Sequence, residues 1–238
     1  MSADRFYFRQ WLSGRDFAAD DPIAQQMVNF TYAIGDRANG ECVLVDPAYA
    51  VGELLDKVEA DGLRVTGVLV THFHADHIGG SMMGHHVEGV ATLLERCDCP
   101  VHVQRDETPW VLRTSGLGTD HLREHDGGDV VMVGDIEVTL VHTPGHTPGS
   151  QCFHVDGRLV SGDTLFLDGC GRTDFPGSDP EAMYDSLQTL ASMPDGTVVY
   201  PGHRYSVPSS ATIEAIREHN YVFRPSSKEQ WLMMFGRH

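Results

Sequence analysis

The sequence predicts an α/β fold, consistent with two sheets packed between outer helices. Three observations carry this. Short apolar, β-branched runs alternate with helix-patterned segments along the 238 residues. The alternation occurs in two successive halves. Several of the strand-like runs end directly in His or Asp, so the loops leaving them can converge on one edge and build one site.

Phe6-Tyr7-Phe8 opens the first strand, and Asp16 to Pro22 is acidic and irregular, a loop by composition. Asn29 to Ile34 forms a second strand ending at Gly35-Asp36, and Glu41 to Val45 a third, closed by Asp46-Pro47. Leu54, Leu55 and Val58 share one helical face, which predicts a helix over 51–61 stopped at Asp61-Gly62. Val68 to Thr71 has the composition of a strand buried on both faces. Ile78-Gly79-Gly80 is small enough for a helix to start there. Met82, Met83, His85 and His86 are read as a loop over the core in preference to a substrate wall. Val90 to Leu94 suggests a helix and Pro100 to Val103 a short strand. Thr108 to Arg123 is less regular, with Trp110 and a turn at Gly116 to Gly118. His121 and His125, four apart, are read as exposed side chains in preference to partners on a helix face. Val130–Val133 and Ile136–Val141 form a hairpin turned at Gly134-Asp135, and Gln151–Val155 and Arg158–Val160 another about Asp156-Gly157. Pro180 to Leu190 is a helix with Asp179 as N-cap and Pro180 at its first position, where a missing N–H costs nothing. Val198 to Tyr200 is the last clear strand, and Ser209–His219 and Ser227–Phe235 close the chain as helices.

Val68 to Thr71 runs straight into His72-Phe73-His74-Ala75-Asp76-His77, three histidines and a carboxylate within six positions. Neutral imidazole and carboxylate suit zinc or iron, and a strand end is a stiff mount for them. The plain alternative is a polar loop with accidental histidines. Recurrence argues against it. His146 sits in Thr143-Pro144-Gly145-His146 after the Ile136–Val141 strand, and Asp163 in Ser161-Gly162-Asp163 after Arg158–Val160. His203 sits in Tyr200-Pro201-Gly202-His203 after Thr197–Tyr200. Each alone is a weak signal, because a single His or Asp in a turn is usually structural.

The H-x-H-x-D-H string leaving a β-strand resembles the metal-binding signature of the metallo-β-lactamase superfamily, and His146, Asp163 and His203 match its later ligands in order. The resemblance implies an αββα sandwich, the metallo-β-lactamase fold, as a single domain over 1–238. It also implies that His72, His74 and His146 hold one ion, that Asp76, His77 and His203 hold a second, and that Asp163 bridges them. Gly169-Cys170-Gly171-Arg172-Thr173-Asp174-Phe175 looks like the corresponding segment of glyoxalase II enzymes and of the related persulfide dioxygenases. Phe8-Arg9-Gln10 and Asn29 to Asp36 are similar to the N-terminal strands of the dioxygenases, and Asp174 to Asp179 is similar to short bacterial glyoxalase II-like hydrolases. Both groups handle glutathione-derived thiol compounds.

Two readings follow from the resemblance. The first is a hydrolase of a thioester or related acyl compound. Water between two divalent metal ions, zinc foremost, would lose its proton near neutral pH and attack the carbonyl. Asp76 and Asp163 are then the catalytic carboxylates, Arg172 and Tyr205 position a small thiol-derived substrate, and Cys170 is not needed as a nucleophile. The second is a persulfide dioxygenase with a single iron(II) on His72, His146 and Asp163. A lactonase ranks lower, as does a non-catalytic metal-binding protein, since no ligand is missing. The chain departs from these relatives in two places: the segment from Ile78 to Gly145 is longer, and Arg204 stands where the dioxygenases carry Asp. Tyr205 matches a tyrosine that contacts glutathione in the relatives, but the closing helices lack an evident glutathione-binding basic cluster.

Composition bounds the rest. Hydrophobic residues make up 41%, enough for a packed core. The net charge of -17, from 34 acidic and 17 basic residues, argues against a nucleic-acid partner. A small anionic substrate stays compatible, because salt screens distant charge. The start, Met1-Ser2-Ala3-Asp4-Arg5, is charged with no apolar signal core, and no run approaches the length of a membrane span. Five cysteines, an odd number, are scattered at 42, 97, 99, 152 and 170, for which a reduced cytoplasmic protein is the simplest account. The missing signal disfavours a true β-lactamase. Cys97 and Cys99 are read as a turn, not a second metal site.

Overall fold

A computed structural model describes residues 5–236; the charged Met1–Asp4 start lies outside the described residues. The first half contains β1 (Phe6–Leu12), α1 (Pro22–Met27), β2 (Phe30–Asp36), β3 (Glu41–Val45), α2 (Val51–Ala60), β4 (Arg64–Leu69), α3 (Ala75–Ile78), β5 (Gly80–Met82), β6 (His85–Val87), α4 (Val90–Leu94), β7 (Val101–Gln104), α5 (Thr108–Ser115) and β8 (Leu122–His125). The second contains β9 (Val130–Val133), β10 (Ile136–His142), β11 (Gln151–Val155), β12 (Arg158–Gly162), α6 (Pro180–Ala191), β13 (Val198–Pro201), β14 (Ala211–Thr212), α7 (Ile213–His219) and α8 (Lys228–Phe235).

One sheet has the order β1-β2-β3-β4-β7-β8 and the other β14-β13-β12-β11-β10-β9, with β5 and β6 a separate small hairpin. Burial explains why the sheets stack. In β9 and β10 buried and exposed residues alternate, so one face of the second sheet is apolar. That face, with Val133, Val138, Leu140 and Phe153, packs on Leu12, Ile34, Val45 and Leu69 of the first sheet. On the outer face of the first sheet Leu44, Val68 and Val101 meet Leu54 and Val58 of α2 and Leu93 of α4. On the outer face of the second, Cys152, Leu159 and Val199 meet Met183 and Leu187 of α6, Ile216 of α7 and Trp231 of α8. The expected αββα sandwich is therefore present. β4 is parallel to both its neighbours, and β12 is parallel to β13. β10 and β12 each pair antiparallel with β11 and so run the same way. The C-terminal ends that carry the candidate ligands thus fall on one edge, where open α/β sheets usually place their sites.

Several boundaries differ from the sequence expectations. The central strand is Arg64–Leu69 and stops short of Thr71, because Thr71 N–H donates to Asp46 Oδ1 at 2.8 Å instead of to a strand. The acidic loop leads into α1, capped by Asp21, whose Oδ1 accepts from Ile23 and Ala24. No helix starts at Ile78-Gly79-Gly80. The short α3 ends there at Gly79, whose φ of 83° stops it, and the β5–β6 hairpin follows. Thr108–Ser115 is helical, and Ser209–His219 opens with β14 before Thr212 caps α7. His125 ends strand β8, where its Nε2 lies 2.8 Å from His102 Nδ1, so neither a shared helix face nor full exposure applies to it. All five cysteines are free, and Cys97 donates to Val65 O at 3.2 Å. No helix among the described residues is long and apolar enough to cross a membrane.

Candidate metal centre

All seven strand-end residues meet in one place. His72 Nε2 and His146 Nε2 each lie 3.1 Å from His74 Nδ1. Across the site His77 Nε2 lies 3.2 Å from His203 Nε2, with Asp76 Oδ2 3.6 and 3.4 Å from those two nitrogens. Asp163 faces both groups. Its Oδ1 is 3.5 Å from His77 Nε2, and its Oδ2 is 3.3 Å from His203 Nε2 and 3.8 Å from His146 Nε2. His72–His74–His146 and Asp76–His77–His203 each bring their ligand atoms within 4.8 Å of one another. His72, His77, His146, His203 and Asp76 are buried.

The rings are oriented from behind. His146 Nδ1 donates to Arg172 O and His203 Nδ1 to Met27 O, both at 2.7 Å, and His77 Nδ1 to Asp46 Oδ2 at 2.8 Å. A carbonyl can only accept, so the first two rings carry a proton on Nδ1 and turn Nε2 to the centre. Asn29 Nδ2 donates to Asp76 Oδ2 at 3.0 Å and is itself held by Tyr49, whose hydroxyl donates to Asn29 Oδ1 at 3.0 Å. Gly202 precedes His203 for a steric reason. A Cβ there would lie 2.2 Å from Asp163 Oδ1.

Electrostatics divides the cluster. Burial, reinforced by neighbouring imidazoles, holds His72 well below the usual range and brings His74 down to about 4, and burial also lowers His146. Opposite them burial is outweighed. Asp76, Asp163 and Asp46 lift His77 to about 10, and Asp163 lifts His203. Burial would raise the Asp163 carboxyl, but His203 and His77 hold it well below the carboxylate range. Two buried carboxylates need positive charge, which protons on His77 and His203 or divalent cations can supply. Asp163 Oδ1 is moreover buried with no hydrogen-bond partner. Five imidazoles, two carboxylates and one orphaned carboxylate oxygen suit borderline cations such as zinc or iron.

The cluster opens into a cavity of about 730 Å³. Arg172 and Tyr205 both line it, yet the Arg172 guanidinium is held by Asp174. Tyr205 stacks parallel on the His203 ring, centroids 4.9 Å apart. Met82 and Met83 also line the cavity, so the hairpin forms a wall of the site as well as covering the core, against which Met82 packs. His85 and His86 are exposed, and neither lines it. Burial pushes the Cys170 thiol up to about 12, which leaves it without nucleophilic thiolate at neutral pH.

Three supporting residues escaped the sequence reading: Asp46, Asn29 and Glu107. Glu107 is buried and accepts from Phe73 N at 2.7 Å, Thr147 Oγ1 at 2.8 Å and Gly149 N at 2.7 Å, tying the His72–His74 segment to the His146 loop. Asp46 directly follows a strand and Glu107 lies three residues past one. The rule that marked His146 and Asp163 would have marked Asp46 as well.

The family described as Metallo-beta-lactamase superfamily matches residues 26–203. The chain is 35% identical over 189 residues to a hydroxyacylglutathione hydrolase of Aeromonas salmonicida; the match covers 77% of this chain but 65% of that relative, slightly under two thirds of its length. It is 27% identical over 209 residues to the probable polyketide biosynthesis zinc-dependent hydrolase BaeB of Bacillus velezensis, covering 87% of each. The crystal structure of ETHE1 from Myxococcus xanthus superposes with a TM-score of 0.79 at 30% identity, covering 97% of this chain and 90% of that one. The family match spans every one of the seven converging residues, and the chain belongs to the metallo-beta-lactamase superfamily.

Proposed function

We propose that this protein is a metal-dependent hydrolase of the glyoxalase II-like group, cleaving a thioester or related acyl compound. The observation that carries this reading is the completeness of the second ligand group. Asp76, His77 and His203 are buried, converge within 4.8 Å, and are held from behind by Asn29, Asp46 and the Met27 carbonyl. A single iron on His72, His146 and Asp163 would keep His74, Asp76, His77 and His203 around it without binding them, so metal stoichiometry is what separates the two readings.

In this reading His72, His74 and His146 would hold one divalent ion and Asp76, His77 and His203 the other, with Asp163 facing both groups. Zinc is favoured by the zinc-dependent hydrolase among the relatives. Two such ions supply a water of near-neutral pKa and a Lewis acid for the acyl carbonyl. The chain's part is positional. Fixed rings and carboxylates keep the ligand geometry constant through the reaction. Tyr205, whose phenol burial and then Asp163 and Asp76 keep protonated, can donate a hydrogen bond to the substrate, and Arg172 borders its path.

The dioxygenase reading is supported by the likeness of Phe8–Gln10 and Asn29–Asp36 to the N-terminal strands of persulfide dioxygenases. One experiment separates the two. Protein purified without added metal is analysed for its ions, then assayed for thioester cleavage and for oxygen uptake with a persulfide. Two ions per chain with thioester cleavage and no oxygen uptake support the hydrolase. One iron per chain with persulfide-dependent oxygen uptake would replace it with the dioxygenase.

A further inference from the structure

The cavity wall outside the metal ligands is poorly suited to glutathione. A glutathione thioester carries two carboxylates and one ammonium, a net negative charge. Beyond the clustered ligands, the charged side chains lining the cavity are Arg172 and Asp168. Arg172 donates Nε–H to Asp174 Oδ1 at 2.8 Å, makes a second bond to Asp174 Oδ2, and lies 4.6 Å from the Phe175 ring centroid. Asp174 takes the Nε and Nη2 donors and offsets the charge of the guanidinium, so an incoming carboxylate is left with Nη1 on an exposed, already paired cation and gains little. The closing helices offer no substitute. Arg217 and Lys228 are paired with Asp195 and Asp185, and neither lines the cavity. What remains of the wall is largely apolar: Phe73, Met82, Met83, Phe166 and Phe175.

A second hollow of about 340 Å³ adjoins the first, and Met27 and Met83 line both. Met83 is 73% exposed. An unbranched thioether can swing to fit a guest, so this shared wall can serve as a passage. The acid in the second hollow, Asp21, already accepts from Ile23 N and Ala24 N.

We propose that the site accepts an acyl compound with an apolar acyl chain and an uncharged leaving thiol, the chain running from the ligand cluster across Met27 and Met83 into the second hollow. This rests on the hydrolase reading and names its substrate class. The reaction is ordinary hydrolysis: the water oxygen bonds to the acyl carbon, the C–S bond breaks, and the thiol leaves with a proton from water. Each methylene buried on that path should raise affinity about three- to fourfold.

Two measurements on the zinc-loaded protein test this and keep it separable from the hydrolase reading. Inert S-alkyl thioethers of neutral N-acetylcysteamine and of glutathione, from ethyl to decyl, are titrated by calorimetry. The neutral series should gain about threefold per methylene until the hollow is filled, and should bind at least about tenfold tighter than the glutathione series at equal chain length. Met83→Asp should flatten the chain-length dependence, and Asp174→Asn, which releases Arg172, should narrow the gap against glutathione. Equal or tighter binding of the glutathione series, or no dependence on chain length, overturns the proposal. The matching thioesters are then assayed for cleavage. Chain-length-dependent binding without cleavage would support the pocket assignment while removing the hydrolase reading.

Discussion

Asp46 and Glu107 are buried acids that fix the ligand loops from opposite sides. Asp46 accepts from Thr71 N, Thr71 Oγ1 and His77 Nδ1, and Glu107 from Phe73 N, Thr147 Oγ1 and Gly149 N. Burial pushes the Glu107 carboxyl up to about 7, against the pull of its hydrogen bonds from Thr147, Phe73 and Gly149. Its ordinary value is 4.5, so between about pH 4.5 and 7 the folded protein binds more protons at this group than the unfolded chain does. The carboxyl therefore lowers stability as pH rises through that window and adds no further slope above it. Urea unfolding of metal-stripped protein should show this decline relative to Glu107→Gln, and parallel pH profiles for the two proteins would contradict it. A second expectation concerns the acid between the two groups. Asp163 faces His77, His203 and His146, whereas His85 is exposed and borders the neighbouring hollow. Asp163→Ala should lose far more bound metal than His85→Ala, read as ions per chain after gel filtration. Equal metal content in the two variants would remove Asp163 from the ligand set.

Helix α6 shows how an element far from the ions sets the site. Asp179 caps it, accepting from Glu181 N at 2.8 Å and Ala182 N at 3.2 Å. The same turn grips the His146 loop through Asp179 N to Gly145 O at 2.8 Å and Ser178 Oγ to His146 O at 2.7 Å, and further along the helix Ser186 Oγ donates to Pro144 O at 2.7 Å. Asp179→Ala should cost about 1 kcal/mol in urea unfolding, the usual value of such a cap, with the apo fold retained. Gly145→Ala should be worse. Its φ is 139°, and a Cβ would lie 2.4 Å from the Met183 backbone, so either the loop or the helix must move. Metal affinity should fall with it in a chelator competition, and unchanged affinity would show that the loop and α6 are not coupled. This helix was legible in the sequence because Asp179, Pro180 and an apolar face agree. α1 was not, since six residues offer too few turns for a periodic face. Thr71 has strand composition but gives its N–H to Asp46, which no local pattern announces.

Across the whole molecule, the site is the common edge of two sheets. The convergence of the seven candidate residues was readable because each stands past the end of an apolar strand, and strands running the same way deliver their ends to the same edge. The cavity wall was harder to read. Met82 and Met83 look like loop residues until β5 and β6 pair, and the hold of Asp174 on Arg172 depends on a turn whose shape the sequence does not state. Charge worked at the coarse level only. A net charge of -17 describes the surface, while the buried centre gathers acids that call for cations. That demand can be measured directly. Metal-free protein is titrated with zinc and followed by native mass spectrometry, together with Asp76→Ala and His203→Ala variants. The account predicts saturation at two ions per chain for the wild type and one for each variant. Saturation of the wild type at a single ion, unchanged in the variants, would contradict it.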